Sequence, residues 1–260
     1  MSFEYTIKNF IIYNVFSLTS IKHCDDLLSY INKKWRKNDT QTKPEQAKVN
    51  ILHKKTNSNT KKNRNTNTNT KEQWFQLHAL INACIVYFSY NDVYDCFMDP
   101  TVSIQPCSNL FGGSFALMLH VYHSYAYQMT YMDKLHHGIS VFLATPLCLL
   151  YQTKGISMYY FFGTGLPGEI DYFLLSLVKQ KKLDSIKEKK INSYLNTFIR
   201  LPGLVLASYL IWKDAIQHPS KIIHYSNRLL ALLVFLNGTI FGKMAIENYK
   251  ERSIENKIHK

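Results

Sequence analysis

The chain has 260 residues, 46% of them hydrophobic and 14% aromatic, with a formal net charge of +13. Its mean hydropathy of -0.18 suggests a soluble protein and its charge suggests a nucleic-acid partner. Both averages mislead, because the chain joins a polar, basic segment to a very apolar one, and the basic residues lack the aromatic interleaving of a base-stacking surface.

Residues 3–20 come first. They include Glu4, Lys8, Asn9 and Asn14 and read as a weak span or an amphipathic helix lying on a membrane surface. They lack the charged start and small-residue cleavage site of a signal peptide. Residues 21–73 follow, rich in Lys, Asn and Thr and closing on an Asn-Thr alternation over 65–70. Thirteen basic residues against five acidic ones put eight of the net charges here. Such a composition buries too little apolar surface to offset its ordering entropy, which predicts a disordered basic tether on the cytosolic side. A patch for anionic lipid or nucleic acid is the alternative.

Six apolar stretches occupy the segment 74–248: residues 74–90, 110–130, 135–151, 155–178, 192–212 and 226–246. Each approaches the roughly 20 residues that cross a bilayer. They carry Tyr, Ser, Thr, Gly and His, as helices facing other helices do. The sequence therefore predicts an all-α, polytopic transmembrane helical bundle of about six spans, seven if residues 3–20 also cross. Residues 249–260 form a basic tail.

Alternating spans sort the loops by charge. The tether, the 179–191 loop with six Lys and the tail fall on one side. The 91–109 loop, with three Asp and no Lys or Arg, falls on the other, with 152–154 and 213–225. The positive-inside rule makes the basic side cytosolic. Cys96 and Cys107 share the far-side loop, where a disulfide would persist; a bridge and two free thiols remain alternatives.

Ionisable residues inside a membrane are costly, so each is a candidate for function. His78 is in the first stretch. His120 and His123 share a helical face in the second. His136 and His137 open the third, with Asp133 placed to orient an imidazole. The fourth is interrupted by Gly163, Gly165, Pro167 and Gly168, with Glu169 and Asp171 close by. Broken backbone at that depth lines a cavity or lets helices approach closely. Arg200, in the fifth, needs a partner when buried, and Glu169 or Asp171 is the natural one.

In these residues the sequence resembles the TLC-domain membrane proteins, the group that includes ceramide synthases and the translocating-chain-associating protein. Trp74 with His78 resembles the opening helix of that family. Asp133-Lys134-Leu135-His136-His137 resembles its histidine pair, Glu169 with Asp171-Tyr172-Phe173-Leu174 its acidic helix, and Ile199-Arg200 its later arginine. The acidic motif departs from that of ceramide synthases, having two acids two apart and no His. The resemblance implies a helical bundle in the endoplasmic reticulum or another endomembrane, acting in lipid metabolism or homeostasis.

Three functions follow. One is acyl transfer from acyl-CoA to a lipid amine or hydroxyl, with His136 or His137 as base, Asp133 as its orienter, and Glu169, Asp171, Arg200, His78, His120 and His123 positioning the substrate. No further cofactor is expected. The second is a non-enzymatic lipid-binding or sensing protein. The third is a His-ligated metal or haem protein, against which stands the absence of HxxxH and HxxHH boxes.

Overall fold

The computed structural model describes the backbone of residues 3–41, 58–150 and 152–258, and the side chains of 8–35, 72–131, 134–148 and 152–258. Helix makes up 90% of it, and no strand occurs among the described residues. In chain order these are α1 (Phe3–Gln41), α2 (Ser58–Met98), a short 3-10 turn (Pro100–Ile104), α3 (Phe111–Ala126), α4 (Tyr131–Ile139), α5 (Thr145–Leu150), α6 (Lys154–Tyr160), α7 (Leu166–Lys179), α8 (Ser185–Leu195), α9 (Leu201–Gln217) and α10 (Lys221–Ile258). Two continuous helical runs, Ser185–Gln217 and Lys221–Ile258, are long and apolar enough to cross a membrane.

Three joints are not α-helical. Ser140–Ala144, Phe161–Gly165 and Asn196–Arg200 are π-turns that connect α4 to α5, α6 to α7 and α8 to α9. Each closes with an amide reaching back five residues: Thr145 to Ser140, Leu166 to Phe161 and Leu201 to Asn196. A proline follows each closing residue, at Pro146, Pro167 and Pro202. Proline lacks an N–H and clashes with the carbonyl four residues back. The wider turn takes up that conflict without ending the helix. The proline-bearing interruption read in the fourth stretch is thus one of three.

α2 runs through the centre, against α1, α3, α6 and α7, while α9 and α10 form a long antiparallel pair. One apolar cluster holds Ile156, Met158, Phe162, Leu204, Leu210 and Leu230, and a second holds Ile21, Leu77, Ile81, Ile85, Phe115 and Leu119. Close approach depends on small residues. A methyl added at Gly203 would lie 2.2 Å from Phe162 Cγ, and one at Gly168 would lie 2.6 Å from Asn82 Nδ2. Buried Ser89, Asn82, Asn227 and Ser17 sit between helices, while Tyr87, Phe142, Phe198 and Ile222 face outward. Small and polar residues thus fill contacts between helices, while apolar side chains also lie on the outer surface.

One end of the bundle is fastened by carboxylates. Asp92 is fully buried and accepts from the Ser108 amide at 3.0 Å, from the Ser108 hydroxyl and from the Ser157 hydroxyl at 2.6 Å. Asp214 accepts from Ser103 at 2.9 Å. Lys154 bonds Asp95 at 2.6 Å, and that carboxylate raises the ammonium above the usual lysine range. These contacts fold the 3-10 turn and the following loop onto α2, α6 and α9. Cys96 and Cys107 are free thiols here, so of the two alternatives the structure carries the unbridged one.

The tether reading needs correction. Residues 21–41 continue α1, and 58–73 begin α2. From Ile21 to Trp35 the side chains include built contacts: Asn32 donates to Gln76 at 2.8 Å, and Gln73 donates to Asp25 at 2.7 Å. Ile21 is fully buried. Averaging this amphipathic stretch with the Asn-Thr run hid its helical periodicity. Residues 42–57 lie outside the described residues.

Candidate functional site

The end opposite the carboxylate network gathers the histidines. α2 supplies Trp74 and His78, one turn apart. Trp74 Nε1 can only donate, and it donates to His78 Nε2 at 2.7 Å. His78 Nδ1 therefore carries the proton and donates to the Trp74 carbonyl at 2.9 Å. This fixes both the orientation of the ring and its neutral tautomer.

α3 brings His120 and His123, and α4 brings His136 and His137. Carbonyls only accept, so His120 Nδ1–H points at Ala116 O, 2.6 Å away. With the rings neutral, His120 Nε2 accepts from His136 Nε2–H at 3.3 Å. His137 Nδ1 lies 3.1 Å from His120 O and 3.2 Å from Ser124 Oγ, so its Nε2 accepts from His123 Nδ1–H at 3.1 Å. His78 meets His123 edge to face, with ring centroids 5.3 Å apart. The result is a compact cluster of five imidazoles drawn from three helices.

Aromatic and acidic side chains enclose it. Trp74 lies over His123 at 4.1 Å between centroids, and Tyr172 of α7 lies 4.6 Å from His78. At the adjoining rim, Asp25 of α1 accepts from the Tyr122 hydroxyl at 2.7 Å and the Tyr127 hydroxyl at 2.6 Å. His136 meets Phe241 of α10 at 5.3 Å. Asp133 belongs to the backbone of α4, and its side chain lies outside the described residues.

The second charged group is separate. Arg200 hydrogen-bonds neither Glu169 nor Asp171, the two partners the sequence offered; its Nη1 donates to Asn196 Oδ1 at 3.1 Å and its Nη2 to Gly163 O at 3.0 Å. Gly163 is the residue whose α-helical partner would be Pro167, which has no N–H. Arg200 thus supplies the donor that proline withholds. Asp171 acts on Arg200 as a charge through space, and buried Glu188 pairs with Lys189 at 3.1 Å. Glu169 lies within electrostatic reach of Cys84 on α2.

The structure thus brings together His78, His120, His123, His136 and His137, and places Asp171 with Arg200 at a second point. Sequence reasoning missed Glu188, buried although it lies in a Lys-rich stretch, and missed Asp25, Tyr122, Tyr127 and Ser124. An i,i+4 search around each histidine would have found Ser124, which follows His120 by four.

The N–N separations of 3.1 and 3.3 Å are hydrogen-bond distances. No group of three or more His, Cys, Asp or Glu among the described residues is arranged to hold a metal ion. A small cavity of about 20 Å³, the room of a single water, opens at the carboxylate end beside Asn109, Gln152 and Ser157, away from the histidines. No family model, curated protein or solved structure matches the chain.

Proposed function

We propose that this is a multi-pass membrane protein of TLC type that handles lipid in an endomembrane such as the endoplasmic reticulum, with about six spans and its basic loops in the cytosol. The observation that carries the reading is the convergence of Trp74, His78, the two histidine pairs and Tyr172. Motifs separated by nearly 100 residues meet at one end of the bundle. That end adjoins the basic loops, where a water-soluble donor such as acyl-CoA has access.

The reaction favoured is acyl transfer. A lipid amine or hydroxyl attacks the thioester carbonyl, the C–S bond breaks, and coenzyme A leaves as a thiolate. An imidazole of the His136–His137 pair takes the nucleophile's proton and returns it to the departing sulfur. His120 and His123 hold that pair, because each bonds one member of it. Purified protein supplied with acyl-CoA and membrane lipid is expected to form a new amide or ester, and His137→Ala is expected to abolish it. Equal product from both proteins would sink the assignment.

A second reading has its own observation. Bonds to neighbouring rings, backbone carbonyls, Trp74 and Ser124 occupy much of the cluster, which suits a lipid-binding or sensing protein that moves no protons. It expects co-purifying lipid and intact cellular function when His136 and His137 both become Gln. Loss of function in that double variant favours the enzyme.

A further inference from the structure

We infer that α1 is itself a membrane-crossing helix whose outer face is solvated by acyl chains, which places its amino-terminal end opposite the Lys-rich 179–191 loop. The inference rests on the multi-span reading above and adds a wall to the histidine site.

Burial along α1 is inverted relative to a helix on a soluble domain. Asn14 and Ser17 face the bundle at 8% and 0% exposure, with Ile21 also at 0%. Ile11, Ile12, Val15 and Phe16 face outward at 52–59%. A helix lying in the interface would bury its apolar side in lipid and turn its polar side to water. Here the polar side is against protein, so the apolar side is left for hydrocarbon.

The contacts of α1 mark its depth. Near one end, Tyr13 and Phe16 pack on Phe111 with centroids 4.4 and 5.4 Å away, and Phe10 lines the small cavity at the carboxylate end with Asn109 and Gln152. Further along, Asp25 binds Gln73, Tyr122 and Tyr127 beside the histidines, and Asn32 binds Gln76. Phe10 to Asp25 is fifteen residues, about 22 Å of helix. The antiparallel α2 covers the same interval from Gln73 to Phe88, which lines the same cavity as Phe10. α1 therefore traverses the same depth as the first apolar stretch.

The flanks agree. Exposed Lys22 and Asp26 lie level with Gln73, at the edge of that stretch, and exposed Tyr30 and Trp35 lie beyond it, where amphipathic aromatic rings settle at the headgroups. The outer faces of neighbouring helices continue the apolar surface through Tyr87 and Val121. A covering made of acyl chains accounts for the whole band, while a second protein would have to match it helix by helix.

The test compares glycan acceptors in the full chain inserted into microsomes. Flexible extensions carrying one acceptor are placed before Met1, between Lys181 and Lys182, or between Gln217 and His218. The expected result is one added glycan for the first and third forms and none for the second. The native acceptor sequences, Asn38-Asp39-Thr40 and Asn237-Gly238-Thr239 within α10, are expected to stay unmodified. If the amino-terminal acceptor behaves like the one at Lys181 while the Gln217 acceptor is modified, α1 does not cross and its face serves another partner. If the Lys181 and Gln217 acceptors behave alike, the multi-span reading itself fails.

Discussion

The two ends of the bundle satisfy their buried polar groups in opposite ways. At one, Asp92 accepts from an amide and two hydroxyls, and Asp214 from a third hydroxyl. An ionised carboxylate only accepts, so these bonds have one possible sense. At the other, imidazole donates to imidazole, and the accepting nitrogens of His120 and His137 are bases that can take up a proton. The first set of bonds is a lock, and the second is a network that can take up a proton. The carboxylate end holds its loop in place with fixed bonds, and the histidine end holds groups able to bind and release a proton.

The largest expected effect tests the lock. Asp92→Ala strands the buried Ser157 hydroxyl and takes the acceptor from the Ser108 amide and hydroxyl, and is expected to cost about 3 kcal/mol. Thermal unfolding in detergent would read this, and an unchanged midpoint would remove the contrast. Next is the joint between the π-turns. Arg200→Leu leaves the Gly163 carbonyl short of a donor and is expected to cost about 2 kcal/mol. Pro167→Ala restores an amide in reach of that carbonyl. The double variant should therefore lose less than the sum of the single losses, and strict additivity would separate Arg200 from the proline. The smallest stability effect belongs to the histidine end. His137→Gln is expected to cost about 1 kcal/mol while abolishing any proton-dependent activity. A large stability loss there would make the cluster a second lock.

Much of the histidine cluster was legible in the sequence because ionisable residues inside apolar stretches are few and costly to bury. Each candidate histidine joined the cluster. The partner of Arg200 was not legible, since nothing in the order of residues says that a guanidinium will serve a carbonyl 37 residues away. Glu188 was hidden by its company, six lysines that suggested a solvated loop. The boundary of the tether was lost for a related reason: Asn-Thr repeats dominated the composition of a segment whose first third is a packed helix. The helical class and the positions of the apolar stretches were legible, because they depend on local apolar content. The π-turns needed the three prolines to be read together.

Those π-turns also make the site sensitive to length. Relative to an α-helix, each holds one extra residue, and a single residue turns everything beyond it by about 100°. Tyr172 reaches His78, and Asp171 faces Arg200, only with Phe161–Gly165 at its present length. Deleting Gly163 alone would leave composition and charge almost untouched. It would still rotate both side chains off their partners, so for this protein an insertion or deletion inside a helix carries more risk than most substitutions.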